Sequence, residues 1–219
     1  MIERSGSAVR RVLVAGFAAA VAAGAALAQQ PAPNGNRIVF DDFSDPNSGW
    51  TQHAANGGIT VGYQDGTYQV VMTTPTPLQL IWSGTRFADG AVSVDVADLA
   101  PSVTHPQGLF VRGQDPLNYY GFLVQSDGTF TAFRWESGTY YSESQANTPL
   151  PAGLYSSEGM NALDVMAQGQ TLRFFVNFVE VFEVRNTKWI DGEAGLLFGN
   201  LTLDRAATVY DNFRVEIVR

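Results

Sequence analysis

Beyond residue 28, no stretch of this chain repeats its apolar residues at a helical period. Short alternating runs are instead interrupted, roughly every 8–15 residues, by glycine, proline, asparagine and aspartate. Ala91–Leu99 is the clearest run, with Val92, Val94 and Val96 on one face and Ser93, Asp95 and Ala97 on the other. Asp65-Gly66 and Asp127-Gly128 each sit between two such runs, where glycine supplies the positive φ of a tight hairpin turn. About thirteen short strands with these spacings predict an all-β fold, a β-sandwich or a barrel. No repeat of 20–50 residues is visible, so a propeller is not expected.

The first 28 residues read differently. Arg4, Arg10 and Arg11 precede an apolar run from Val12 to Leu27, and Ala26-Leu27-Ala28 has the small-x-small form of a cleavage site. This order of charged, apolar and small residues predicts a signal peptide over 1–28 and a secreted, periplasmic or extracellular protein. The alternative is a membrane anchor through residues 12–28, although the run is short and alanine-rich for a span. The Arg10-Arg11 pair hints at twin-arginine export. After cleavage no integral membrane span is expected. Residues 29–36 read as a polar linker, and 37–219 as a single domain with no internal linker.

Residues 1–28 hold three arginines and one glutamate, so their removal takes the formal net charge from −8 to −10. An acidic exported domain is poorly matched to nucleic acid, and none is expected as a partner. There is no cysteine, which excludes disulfides, thiol catalysis and thiolate metal sites. The chain is long enough to bury a core without disulfides.

Several segments together carry a resemblance. They are Phe40-Asp41-Asp42-Phe43 with Trp50, the block Gly108–Trp135, the run Asn161–Val165 followed by Gly169 and Leu172–Asn177, and the tail Val209–Val215. In these the chain resembles the concanavalin A-like lectin/glucanase superfamily. Within it, the closest likeness is to laminin G-like and 3-keto-disaccharide hydrolase type domains of exported bacterial proteins. The resemblance implies a jelly roll whose first and last strands pair, with a concave sheet often used for glycans. It also implies a structural calcium near those strands, for which Asp42 and Asp211 are the candidate ligands; no other cofactor is expected. One departure stands out: Asn177-Phe178 occupies a turn where such domains usually have Asn-Gly.

No catalytic motif is found. Glycoside hydrolysis needs two carboxylates set about 5–10 Å apart across a sugar. Asp95 and Asp98 have opposite parity on a regular strand, as do Glu180 and Glu183. His53 and His105 lack a nucleophile-elbow context. The block Gly108–Trp135 is better suited to binding. A two-residue turn at Asp127-Gly128 would set Tyr120 opposite Trp135 and Phe122 opposite Phe133, with Gly121 opposite Arg134. Flat aromatic faces suit sugar C–H surfaces, and arginine suits hydroxyls. Arg112, Tyr120, Arg134 and Trp135 are therefore the candidate ligand-binding residues, unless the Tyr120 face is core, in which case Tyr119, Gln125 and Arg134 face outward. The expected function is a non-catalytic exported module that binds carbohydrate or a cell-envelope ligand. The alternatives are a hydrolase of 3-keto-glycosides and a structural or protein-interaction module.

Overall fold

The computed structural model describes residues 28–31, 36–99, 104–202 and 204–218. Most of the expected signal peptide therefore lies outside the described residues. Among those described there are seventeen strands and no helix, so none long and apolar enough to cross a membrane.

In chain order the strands begin with β1 (Ala28–Pro31), β2 (Arg37–Asp41), β3 (His53–Asn56), β4 (Ile59–Gln64), β5 (Thr67–Met72) and β6 (Thr76–Phe87). Next come β7 (Gly90–Asp98), β8 (Pro106–Asp115), β9 (Asn118–Gln125), β10 (Thr129–Glu136), β11 (Thr139–Ser142) and β12 (Thr148–Pro149). The chain closes with β13 (Asn161–Gln168), β14 (Thr171–Val176), β15 (Val179–Arg185), β16 (Gly192–Asn200) and β17 (Ala206–Ile217).

They form two antiparallel sheets. The ten-stranded sheet runs β15-β14-β13-β7-β17-β5-β4-β3, with β2 also on β17 and β1 beyond it. The seven-stranded sheet runs β11-β10-β9-β8-β16-β6, with β12 beside β10. β17 is the organising strand of the first sheet. Its start pairs with β5 and its end with β2, while β7 covers its other side. The expected pairing of the opening Phe40-Asp41 strand with the last strand is present, with Asp41 opposite Phe213.

Three features depart from expectation. The strand count is higher because short edge pieces, β1, β3 and β12, also pair. Ala28–Pro31 runs antiparallel to β2, from Ala28 opposite Phe40 to Pro31 opposite Arg37, so the expected linker begins on a sheet edge. Proline is tolerated there because an edge strand has one side without a partner. The third is the register of the β9–β10 hairpin.

Asp65-Gly66 forms the two-residue turn its sequence predicts, with Gln64 opposite Thr67 and φ of 52° and 75°. Asp127-Gly128 does not. Gly128 N donates to Gln125 O, Gly128 has φ 76°, and Asp127 Oδ1 accepts from Thr129 N and Oγ1. The loop thus spans Ser126 to Gly128, and pairing starts with Val124 opposite Phe130. A three-residue loop with a left-handed glycine is the next commonest hairpin solution. The extra residue slips every pair by one: Tyr120 lies opposite Arg134, Tyr119 opposite Trp135 and Gly121 opposite Phe133. Because side chains alternate across a strand, that slip moves Phe133 and Trp135 to the face opposite Tyr120 and Phe122.

The main core lies between the sheets. Val92, Val94, Val96, Leu163 and Val165 from the ten-stranded sheet pack with Leu109, Tyr120, Phe122, Val124 and Leu196 from the seven-stranded one. A second apolar cluster, Phe110, Tyr119, Leu123, Phe133 and Leu197, occupies the other face of the seven-stranded sheet.

Candidate functional site

This second cluster is an aromatic row across the outward face of the seven-stranded sheet. Trp82 on β6 meets Phe110 on β8 edge-on, ring centroids 4.7 Å apart. Phe110 meets Tyr119 on β9 at 5.9 Å, and Tyr119 meets Phe133 on β10 at 5.9 Å. Phe133 stacks on Tyr140 of β11 at 5.2 Å, and Trp135 adds an edge contact to Tyr140 at 6.2 Å. Such pairs hold each ring in a defined orientation. Phe110, Tyr119 and Phe133 are buried, whereas Trp82 and Trp135 are half-buried and Tyr140 is exposed. Burial raises the pKa of the Tyr119 and Tyr140 hydroxyls, keeping both neutral.

Glycines make room for the row. A Cβ at Gly113 would fall 2.7 Å from Trp82 Cζ3, and one at Gly195 would fall 2.6 Å from Phe110 Cε1. At Gly121 it would collide with the ring of Phe133. The absence of a side chain lets each ring approach the sheet closely.

Beside the row lies an open groove of ≈ 220 Å³. Leu78, Leu123, Phe133, Tyr140 and Leu201 form its apolar wall. Gln125, Thr131 and Asn147 form a polar wall. These three are tied together: Gln125 Nε2 donates to Asn147 Oδ1 at 2.8 Å, and Asn147 N donates to Thr131 Oγ1 at 2.9 Å. An apolar wall facing fixed, uncharged amide and hydroxyl groups suits a neutral ligand with one apolar face.

The sequence-based candidates divide. Trp135 belongs to the outward row. Tyr120 does not: it is fully buried in the main core, its hydroxyl accepting from Lys188 N at 2.8 Å. Arg112 is also fully buried, at a positive φ of 52°. Its Nη1 donates to Thr187 Oγ1 at 2.5 Å and Trp189 O at 2.6 Å, and its Nη2 to Gly169 O at 2.6 Å. Burial lowers its pKa, opposed by the charges of Asp89 and Asp191. Arg112 therefore clamps loops rather than facing a ligand. Arg134 shares the Tyr120 side of β10, ion-paired to Glu136 at 3.0 Å and Glu143 at 2.9 Å and lying over the ring of Tyr141. Trp82, Phe110, Leu197 and Tyr140 were not among the candidates. Of the set Tyr119, Gln125 and Arg134 expected to face outward if Tyr120 is core, Tyr119 and Gln125 do lie on the outward face, with Tyr119 buried in the row, while Arg134 shares the Tyr120 side.

The acids lie elsewhere. Asp95 on β7 is opposite Asp211 on β17 and accepts from Asn212 Nδ2 at 2.9 Å. Asp164 on β13 is raised to about 6 by burial and then by the charge of Asp95. Asp211 is raised by burial, with smaller contributions from the charges of Asp95 and Asp42. Asp42 is exposed, its Oδ1 accepting from Ser44 N and Oγ at 3.1 and 2.7 Å. The neighbouring Asp41 is used structurally, accepting from Phe43 N at 2.7 Å and Trp50 Nε1 at 2.9 Å. Among the described residues no group of three His, Asp or Glu is placed to hold a metal ion.

One triad-like row escaped the sequence reading. His105 Nε2 lies 2.9 Å from Thr208 Oγ1, and its Nδ1 is 3.7 Å from Asp98 Oδ2. All three side chains are buried. The row joins β7, β17 and the approach to β8 inside the protein and presents no nucleophile to solvent.

Neither a protein-family model nor a curated protein sequence matches the chain. Solved structures do match in shape. The carbohydrate-binding module CBM66 from Bacillus subtilis is 17% identical, with a TM-score of 0.56 over 75% of this chain and 94% of that one. The Bacillus licheniformis beta-glucanase is 11% identical, with a TM-score of 0.60 over 83% and 98%. A Bacillus subtilis protein of galectin-like fold is 12% identical, with a TM-score of 0.56 over 82% and 96%. The shared fold is a two-sheet antiparallel jelly-roll sandwich. At these identities the likeness concerns architecture alone.

Proposed function

We propose that this protein is an exported, non-catalytic module that binds carbohydrate or a cell-envelope glycan on the outward face of its seven-stranded sheet. The groove beside the aromatic row carries this reading, because it joins Phe133 and Tyr140 to the uncharged Gln125–Asn147–Thr131 network. Sugars offer C–H faces and neutral hydroxyls, which match those two walls. The shared fold of a carbohydrate-binding module and a beta-glucanase agrees with it. Arginine has no part in this version of the site. A glycan array probed with the wild type and with Trp135→Ala and Tyr140→Ala tests the proposal. Binding by the wild type that weakens at least tenfold in the variants supports it, and no binding to any glycan sinks it.

Export rests on residues 1–28, and N-terminal sequencing of the secreted protein should begin at Gln29. A second reading, a structural or protein-interaction module, is favoured by one observation: Leu78, Leu80, Leu123 and Leu197 join the aromatics on the same cluster. It predicts an empty glycan array. The alternative, a 3-keto-glycoside hydrolase, would draw on an acid such as Asp95, which lies on the ten-stranded sheet. Turnover of a 3-keto-glucoside, lost in Asp95→Asn, would establish it.

A further inference from the structure

The turn between β14 and β15 uses the wrong residue for its geometry. Val176 pairs with Val179, leaving Asn177 and Phe178 as a two-residue loop with φ of 46° and 67°. Positive φ at both positions is the type I′ arrangement, whose second position favours glycine because a side chain there crowds the backbone. Phenylalanine is a poor choice, and the fold gains little from its ring, which is 82% exposed. Asn177 holds the tip in place: its Nδ2 donates to Leu154 O at 2.6 Å and Asn161 Oδ1 at 3.0 Å, and its Oδ1 accepts from Ala162 N at 2.9 Å. An aromatic ring is thus displayed on a strained, well-anchored hairpin. Strain without internal compensation is the mark of a position kept for contact with something else.

Phe178 has apolar company. β7, β13 and β14 are neighbours, and Val96 opposite Asn161 brings the end of β7 to the start of β13. At this end Leu99, Met160, Phe178 and Val179 are all exposed, in sequence across adjacent strands. Leu201, just past β16 in the other sheet, is 77% exposed. The charges nearby are one-sided. Asp127, Glu158 and Asp204 are exposed at this end, as is Glu180, which Arg173 approaches to 4.0 Å, against Arg205.

We propose that this end of the sandwich docks a protein partner that offers Phe178 an apolar socket rimmed by lysine or arginine. Exposed Phe, Met and Leu at the centre with acids around them have the anatomy of an interface core and its rim. The acids argue against an anionic bilayer and against a second copy presenting the same end, since both would repel. The patch shares Leu201 with the groove beside the aromatic row, but Phe178 is not among the residues that line that groove.

The test uses the exported full chain with p-benzoylphenylalanine in place of Phe178, cross-linked in the native culture. The captured protein is then purified and titrated against the wild type, Phe178→Gly and Glu158→Lys. The expected result is one dominant cross-linked partner whose Kd weakens tenfold or more in Phe178→Gly and weakens in Glu158→Lys. Phe178→Gly should at the same time raise Tm by about 2–4 °C, because glycine relieves the turn. Loss of binding with gain of stability separates a contact residue from a structural one. The proposal is overturned by a Kd unchanged in Phe178→Gly, by a fall in its Tm, or by the lack of a dominant partner. It is also overturned if the wild type co-sediments with phosphatidylcholine vesicles, or forms a concentration-dependent dimer, in a manner abolished by Phe178→Gly.

Discussion

The ring of Phe133 occupies the place where a side chain at Gly121 would begin. The two are directly opposite on β10 and β9, and a Cβ at 121 would also come within 3.0 Å of Leu197 Cδ2. The aromatic row therefore depends on an unfilled position as much as on its rings. Gly121→Ala should push Phe133 off the sheet, costing about 1–3 kcal/mol as an overpacked site. Urea unfolding gives the cost, and the near-ultraviolet dichroism of the row should change with it. Unchanged stability and spectrum would place the Phe133 ring elsewhere.

Tyr120 and Trp135 should now behave oppositely, although both were candidate ligand residues. Tyr120→Ala empties a fully buried core position and should cost about 3–5 kcal/mol. Trp135→Ala removes a half-buried ring from the outward face, so its main effect should be on ligand affinity. Comparing urea midpoints with glycan binding for the pair distinguishes core from surface. The reverse ordering would mean that the register is wrong.

Arg112 should resemble Tyr120. Its guanidinium fork serves three acceptors on two loops, and lysine cannot reproduce that geometry. Arg112→Lys should lower stability by about 2–4 kcal/mol, given that hydrogen bonds to a charged group contribute about 1.5–3 kcal/mol each. Ligand affinity measured well below the melting temperature should be unchanged. A selective loss of binding would return Arg112 to the site.

Asp164 predicts a pH dependence. Its folded pKa is raised from 3.8 to about 6, by burial first and then by Asp95. In that interval the unfolded chain binds fewer protons than the folded one, so stability falls as pH rises and the penalty is complete above it. Asp164→Asn removes the penalty. Its Tm should exceed that of the wild type near neutral pH, and the gap should close as pH falls toward about 4. Thermal melts across this range check the sign; a variant less stable at neutral pH would refute it.

Calcium is tested most simply by melting. Asp42 Oδ1 already accepts from Ser44 N and Oγ, and among the described residues no group of three acids or histidines is placed to hold a metal ion. The melting midpoint should therefore be unchanged by chelator. A lower midpoint with chelator, restored by excess calcium, would establish the site.

What could be read from the chain was whatever is local. The alternation in Ala91–Leu99 places Val92, Val94 and Val96 in the core, and Asp65-Gly66 closes the two-residue turn its residues favour. The likeness of Phe40–Phe43 and Val209–Val215 to paired outer strands also holds, with Asp41 opposite Phe213. The same dipeptide signal failed at Asp127-Gly128. Both two- and three-residue loops accept Asp-Gly, and nothing within the hairpin chooses between them.

Tertiary packing made that choice. Both faces of β9 and β10 are rich in apolar residues, so alternation did not say which one meets the other sheet. Tyr120, Phe122 and Val124 fit against the ten-stranded sheet, while Gly121 left room for Phe133 on the outside. The sequence by itself determined the all-β class and most of the strands, because propensity and alternation act over a few positions. Which aromatics became core and which became surface was decided only by the folded sandwich, since a one-residue slip leaves the strands intact and exchanges their faces.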